Sequence, residues 1–218
     1  MTDNWDVEDA AAYGADILCG GKVRFRALSE NDLPMLDKWW ALPEWAILQQ
    51  ATIKPRPEGA TADMFRQWST NTTPGSAGFS VETLGSGNFI GHVTLHGASM
   101  PERAATLAII IAPEETGKGY GTDAVKTAIN YGFLQMGLNR IELRTWAFNK
   151  RARKAYASAG FTEEGRLREV VYFNGAHHDA IVMSILRSEW ETRRQPDALT
   201  ATNSNSPQLV PDLGKASQ

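Results

Sequence analysis

Apolar and polar residues alternate through Val23-Arg24-Phe25-Arg26-Ala27-Leu28, the two-residue period of a strand with one buried face. Ser29 follows as a helix N-cap, and Leu33, Leu36, Trp39 and Trp40 recur at helical spacing. Residues 61–68 read as a second helix, with Met64, Phe65 and Trp68 on one face. Two strands come next, over 78–83 and 89–95, joined by the glycine-rich loop Leu84-Gly85-Ser86-Gly87-Asn88. Residues 104–112 form a fourth strand, whose Ile109-Ile110-Ile111 run predicts burial on both faces. A helix over about 119–136 carries the stripe Ala124, Val125, Ala128, Ile129 and Phe133, and Gly137 closes it. Alternation returns over 140–146, a short helix over about 150–159 ends at Gly160, and a hairpin over 167–173 and 179–186 turns at Asn174-Gly175. The order β-α-α-β-β-β-α-β-α-β-β predicts an α/β chain built on a mixed sheet.

Composition narrows the class. The 218 residues are 42% apolar and 22% charged, which suits one mid-sized globular domain with extensions. The folded body is expected over 22–190. Residues 1–21 form an acidic arm or short helix, and 191–218 a flexible tail, because 195–218 hold no aromatic residue. Cys19 is the single cysteine, so no intrachain disulfide forms, and neither it nor the four His show zinc-ligand spacing; no metal is expected. The net charge of −3 argues against nucleic acid as a partner. No apolar run approaches the ~20 residues that span a bilayer. The acidic start does not resemble a secretory signal, so no membrane is expected and the cytoplasm is the expected compartment.

The chemistry concentrates in Glu115-Thr116-Gly117-Lys118-Gly119-Tyr120-Gly121-Thr122, between the apolar strand and the long helix. Glycines let main-chain N–H groups approach an anion, and the helix N-terminus adds a favourable dipole. The physical reading is a pyrophosphate cradle to which Lys118 and Thr122 add contacts. Lys118 is followed by Gly119, which excludes a Walker A loop, and the glycine spacing of i, i+2, i+4 departs from the dinucleotide fingerprint. Taken alone, the loop is a weak signal, and an ordinary helix-entry turn with tight packing is its alternative.

The downstream segment from Asn149 to Phe161, with Ala152, Tyr156 and Gly160 between, resembles the N-x-x-A/S-x-x-x-Y-x-x-x-G-F segment of the GNAT acetyltransferase superfamily. The glycine loop is similar to that superfamily's acyl-CoA motif. Asn174-Gly175, Asp179 and Met183-Ser184-Ile185-Leu186 resemble the branch that contains ribosomal-protein N-terminal and spermidine acetyltransferases. The resemblance implies a GNAT fold, a mixed, mostly antiparallel seven-stranded sheet flanked by about four helices, and an acetyl-CoA-dependent N-acetyltransferase. It departs at Thr116, where the family usually has Arg or Gln; Lys118 or Arg151 is the expected substitute.

The resemblance further implies that the pantetheine arm pairs with the main chain of Ile109, Ile110 and Ile111, and that Asn149 places it. Tyr156 would give a proton to the departing thiolate. An amine with a pKa near ~10 is only about one part in a thousand neutral at pH 7, so a base is expected. His92, Thr94 and His96 share one strand face, and Glu142 and Glu82 are alternatives. Trp39, Trp40 and Trp45 with Glu44, and Glu169 on the closing hairpin, are the candidates for holding a cationic acceptor. A diamine or polyamine is placed ahead of a protein N-terminus. The alternative is an acyl-CoA-binding regulator that retains the fold without catalysis. The open edge of the closing hairpin suits a homodimer.

Overall fold

The computed structural model describes residues 5–50 and 53–194. One seven-stranded sheet runs in the order β1 (Val23–Arg26), β2 (Ala77–Thr83), β3 (Phe89–His96), β4 (Ala104–Ile111), β5 (Arg140–Trp146), β7 (Ala176–Leu186), β6 (Thr162–Phe173). All neighbours are antiparallel except β4 and β5. That pair is short, since only Ala104 to Thr106 meets Arg140 to Glu142. Beyond it β4 continues along β3 and β5 along β7, and the two halves of the sheet part. This gap sets up the site.

Helices cover both faces. On one lies α5 (Tyr120–Leu134), whose expected stripe of Ala124, Val125, Ala128, Ile129 and Phe133 is buried to 2% exposure or less. Each large apolar side chain so buried contributes about 1.5–3 kcal/mol. The helix α6 (Lys150–Ala159) begins on Asn149, whose side chain accepts the Ala152 N–H, and ends at left-handed Gly160. On the other face α2 (Leu33–Ala41), α3 (Pro43–Gln49) and α4 (Ala62–Trp68) enclose a second core of Leu33, Leu36, Trp39, Phe65, Ile110 and Ala112.

The sequence reading is corrected at several points. The fourth strand is not buried on both faces. Ile110 packs under α2 and α4, whereas Ile109 and Ile111 are half-buried, because the neighbour that would cover them has splayed away. Among the described residues seven α-helices flank the sheet, against about four expected, and the fold class is unchanged. The extra ones are α1 (Val7–Asp16), α3 and α7 (Arg187–Arg194). The first contains no buried residue, and only a capping box of Asp6 with Asp9 marks it. Tyr13 nevertheless anchors it, donating to Gln135 on the exit of α5 at 3.0 Å.

The expected boundary at 21/22 falls inside a packed turn. There the Asp123 carboxylate accepts the N–H groups of Gly21, Lys22 and Val23 at 2.7–3.1 Å. The boundary at 190/191 cuts α7, which is held by Trp190 packed on Phe133 and donating to Asn130 at 2.8 Å. The rest of the expected tail, 195–218, lies outside the described residues.

Candidate active site

The parting of β4 and β5 opens a cavity of about 470 Å³ that passes between the two sheet halves. Its walls are Leu107 to Ile111 without Ile110, Arg144 to Trp146, the glycine loop, the start of α5, one face of α6 as far as Ser158, and the inner face of α3. Of the residues named from the sequence for holding CoA or for catalysis, Thr116, Gly117, Gly119, Gly121, Thr122, Asn149, Arg151, Ala152 and Tyr156 line it.

The loop geometry follows from its glycines. Gly117 and Gly119 have φ of +79° and +88°, in the left-handed region that residues with a Cβ rarely adopt. Gly119 is the N-cap of α5 and has no side chain to cap with, so the first N–H groups of the helix remain available to an anion. Lys22 pins the loop from outside: its ammonium donates to the Lys118 carbonyl at 3.0 Å. Sequence reasoning missed Lys22, which stands 96 residues away and in no motif.

Thr116, at the family's departing position, uses its hydroxyl locally, donating to the Pro113 carbonyl at 2.9 Å. The same oxygen accepts from Arg151 Nη1 at 3.4 Å, which brings a guanidinium to the family's departing position. Lys118 does not line the cavity; its ammonium is exposed and paired with Glu115 at 2.9 Å. Tyr120 turns toward the core beneath the loop. Ile110 points its side chain away, into the second core.

The Tyr156 ring lines the cavity on the α5 side of the sheet and packs on Phe161. Burial pushes its phenol up to about 12, so it is a protonated donor throughout the neutral range.

None of the expected bases reaches the cavity. His92 is 2% exposed and packed among Phe65 and Trp68, with Nε2 bonded to Ser69 at 2.7 Å. Burial pushes its pKa down to about 4, against a smaller opposing pull from Asp32. Glu82 is buried between Arg24 and Arg26, which hold its carboxyl below the usual range despite its burial. Glu142 is paired with Arg140 at 3.0 Å, and Thr94 is buried. His96 ends β3 exposed.

The aromatic candidates separate in the same way. Trp39 stacks on Phe89, and Trp40 meets Phe65 and Trp68 edge-on; both are packing residues of the second core. Trp45 alone of the three lines the cavity, donating to the Ile111 carbonyl at 3.2 Å beneath the Arg151 guanidinium. Glu44 is exposed on the outer side of α3. Glu169 sits in the irregular stretch of β6 with a φ of +55°, and its N–H is held by Asp179. Every charged residue among the described cavity-lining residues is therefore basic: Arg144, Arg151 and Lys154.

A strand-parted mixed sheet with a glycine loop at the gap is the arrangement of a protein that lays an acyl-CoA between two half-sheets. The chain belongs to the GNAT acetyltransferases: the family model described as an acetyltransferase (GNAT) domain matches residues 22–162. Among curated relatives, YdaF of Bacillus subtilis, provisionally named a ribosomal N-acetyltransferase, is 36% identical over 114 residues, 52% of this chain. The spermidine N(1)-acetyltransferase of Vibrio cholerae is 37% identical over 108 residues, 50% of this chain. The matched stretch spans 62% of the length of each of these two relatives. A solved structure of spermidine N-acetyltransferase from Vibrio cholerae, in complex with CoA and spermine, superposes with a TM-score of 0.68 at 28% identity. It covers 78% of this chain and 98% of its own. No helix among the described residues is long and apolar enough to cross a membrane.

Proposed function

We propose that this protein transfers the acetyl group of acetyl-CoA to a primary amine by direct attack of the amine on the thioester. The observation that carries the reading is the cavity itself, in which the glycine loop, Asn149, Arg151 and Tyr156 converge on the exposed edge of β4. The residues fit CoA: the open N–H groups at the start of α5, with Arg151 and Lys154, would hold its phosphates. The main chain of Ile109 and Ile111 would hold its arm, and the thioester supplies the activated acyl group. Main-chain N–H groups on β4 are suited to stabilise negative charge on the carbonyl oxygen. Tyr156, on the opposite wall, would hydrogen-bond the sulfur as it leaves.

Two acceptor classes have support. The relatives named spermidine acetyltransferases favour a polyamine. The absence of any carboxylate or imidazole among the described cavity-lining residues favours an N-terminal α-amine. Such an amine, with a pKa near 7.7–8.0, is already roughly one part in ten neutral at pH 7 and passes its proton to water without an enzymic base. A cytoplasmic site of action and a homodimer through the edge strand β6, which leaves Val170 and Tyr172 exposed, complete the proposal.

Release of CoA from acetyl-CoA, followed with a thiol reagent, tests it across diamines, spermidine, amino acids and short peptides with free N-termini. Amine-dependent release is expected. Tight acetyl-CoA binding without release for any amine would overturn it in favour of a binding protein.

A further inference from the structure

We infer that Arg144 is a specificity-determining residue that selects an acceptor bearing a carboxylate close to its amine. The inference rests on the amine acetylation proposed above and names the acceptor class for that same cavity.

The argument starts from the two faces of β5. Ile141, Leu143 and Thr145 turn inward and are buried, so Glu142, Arg144 and Trp146 share the other face. Trp146 fixes which face that is: its indole N–H donates to the Ile47 carbonyl of α3 at 3.1 Å. Tyr156 and α6 pack against the core on the α5 side. Arg144 and Tyr156 therefore line one cavity from opposite sides of the parted sheet. The glycine loop and the body of α6 lie on the α5 side, with Arg151 alone reaching across to Trp45 of α3, which leaves the rest of the α3 side, where Arg144 stands, for the amine to enter.

The three cations of the cavity differ in what surrounds them. Arg151 contacts Thr116 of the glycine loop and covers Trp45, and Lys154 lies one turn further along α6; phosphates account for both. Arg144 lies on a strand, away from the loop. It is exposed, and no carboxylate among the described residues lies within salt-bridge distance of it. Nearby acids are already engaged: Glu142 and Glu164 both pair with Arg140. A guanidinium at the amine's entrance repels a polycation and offers a two-pronged donor to a carboxylate. The same set of charges that fails to hold spermidine suits a peptide with an acidic first residue, or a small amino acid whose carboxylate lies beside its amine.

The test compares matched acceptors that differ only in charge. A tripeptide opening with Asp is set against one opening with Asn, and β-alanine against its amide, with spermidine as the cationic arm. The peptide and amino-acid pairs distinguish the two sources of the carboxylate. In the unaltered protein kcat/KM is expected to favour the carboxylate member by about tenfold or more, the worth of one charge-assisted hydrogen bond. Arg144→Gln should abolish that preference, Arg144→Lys should keep part of it, and Arg144→Glu should turn it toward spermidine. KM for acetyl-CoA should stay within about threefold in all of them, because Arg144 is assigned to the amine and not to the phosphates. Equal rates for the paired acceptors, or spermidine preferred by the unaltered protein, would overturn the inference while leaving acetyl transfer standing. A uniform loss with every amine together with a raised acetyl-CoA KM would reassign Arg144 to CoA. No turnover with any amine would remove the proposed function, and this inference with it.

Discussion

Replacing Tyr156 by Phe isolates the one hydroxyl that the proposed reaction sets beside the leaving sulfur. The ring lines the cavity and packs on Phe161, and Phe fills the same space, so the fold should lose little. The size of the effect follows from the phenol's acidity. Burial holds it at about 12, whereas an ordinary thiol loses its proton near ~8.5. Complete proton transfer from Tyr156 to a departing thiolate would therefore run uphill by more than three decades. What remains is a charge-assisted hydrogen bond to the developing sulfur anion, worth about 1.5–3 kcal/mol. That corresponds to a loss in kcat of about 10- to 150-fold, with KM for acetyl-CoA little changed. Because the phenol, at about 12, stays protonated across this range, the pH–rate profiles of the two proteins between pH 6 and 9 should have the same shape. The assay is CoA release under saturating acetyl-CoA, with the best acceptor found. A loss below about threefold would remove Tyr156 from the reaction. A loss beyond about 10³ would refute the hydrogen-bond reasoning and restore full general-acid catalysis.

Two further substitutions probe the loop and the misplaced base. Gly119→Ala puts a Cβ on a residue at φ +88°, with that atom 3.1 Å from the Lys22 ammonium. The left-handed backbone alone costs about 1–2 kcal/mol, so acetyl-CoA affinity should fall by about tenfold in a direct binding titration, and an unchanged affinity would exclude the loop as the phosphate cradle. His92 is neutral in the fold down to about pH 4 but protonates near pH 6.5 when unfolded. Its contribution is full above pH 6.5 and is lost as pH falls toward 4, by up to about 3 kcal/mol, because the unfolded state binds the extra proton. Denaturant unfolding at pH 7.5 and 4.5 should show a smaller drop for His92→Gln than for the unaltered protein, while the pH–rate profile keeps its shape. Equal drops would refute the burial argument, and a changed profile would return His92 to the reaction.

Local pattern carried far in this chain. The stripe of α5, the alternation of β5, the span of α6 and the glycine loop were all legible, because each depends on neighbours within one or two turns of chain. Asn149 and Gly160 marked the ends of α6 for the same reason. Several expected candidates were placed wrongly on the same evidence. His92, His96, Trp39, Trp40, Glu44, Glu82, Glu142 and Glu169 have no private geometry; their places depend on what arrives from far along the chain. Glu82 is taken by Arg24 and Arg26, more than fifty residues earlier, and His92 by Ser69 and the aromatic residues of α4. Three consecutive isoleucines read as a strand buried on both sides, and nothing in them records that β5 parts from β4 after Thr106. The residues themselves determined the family, the strands and the glycine loop. The parted sheet alone decided which side chains share the cavity, and so left it lined with cations where carboxylates were expected. Secondary structure is set by local periodicity, whereas a site is set by contacts between segments whose separation in sequence carries no periodic signal.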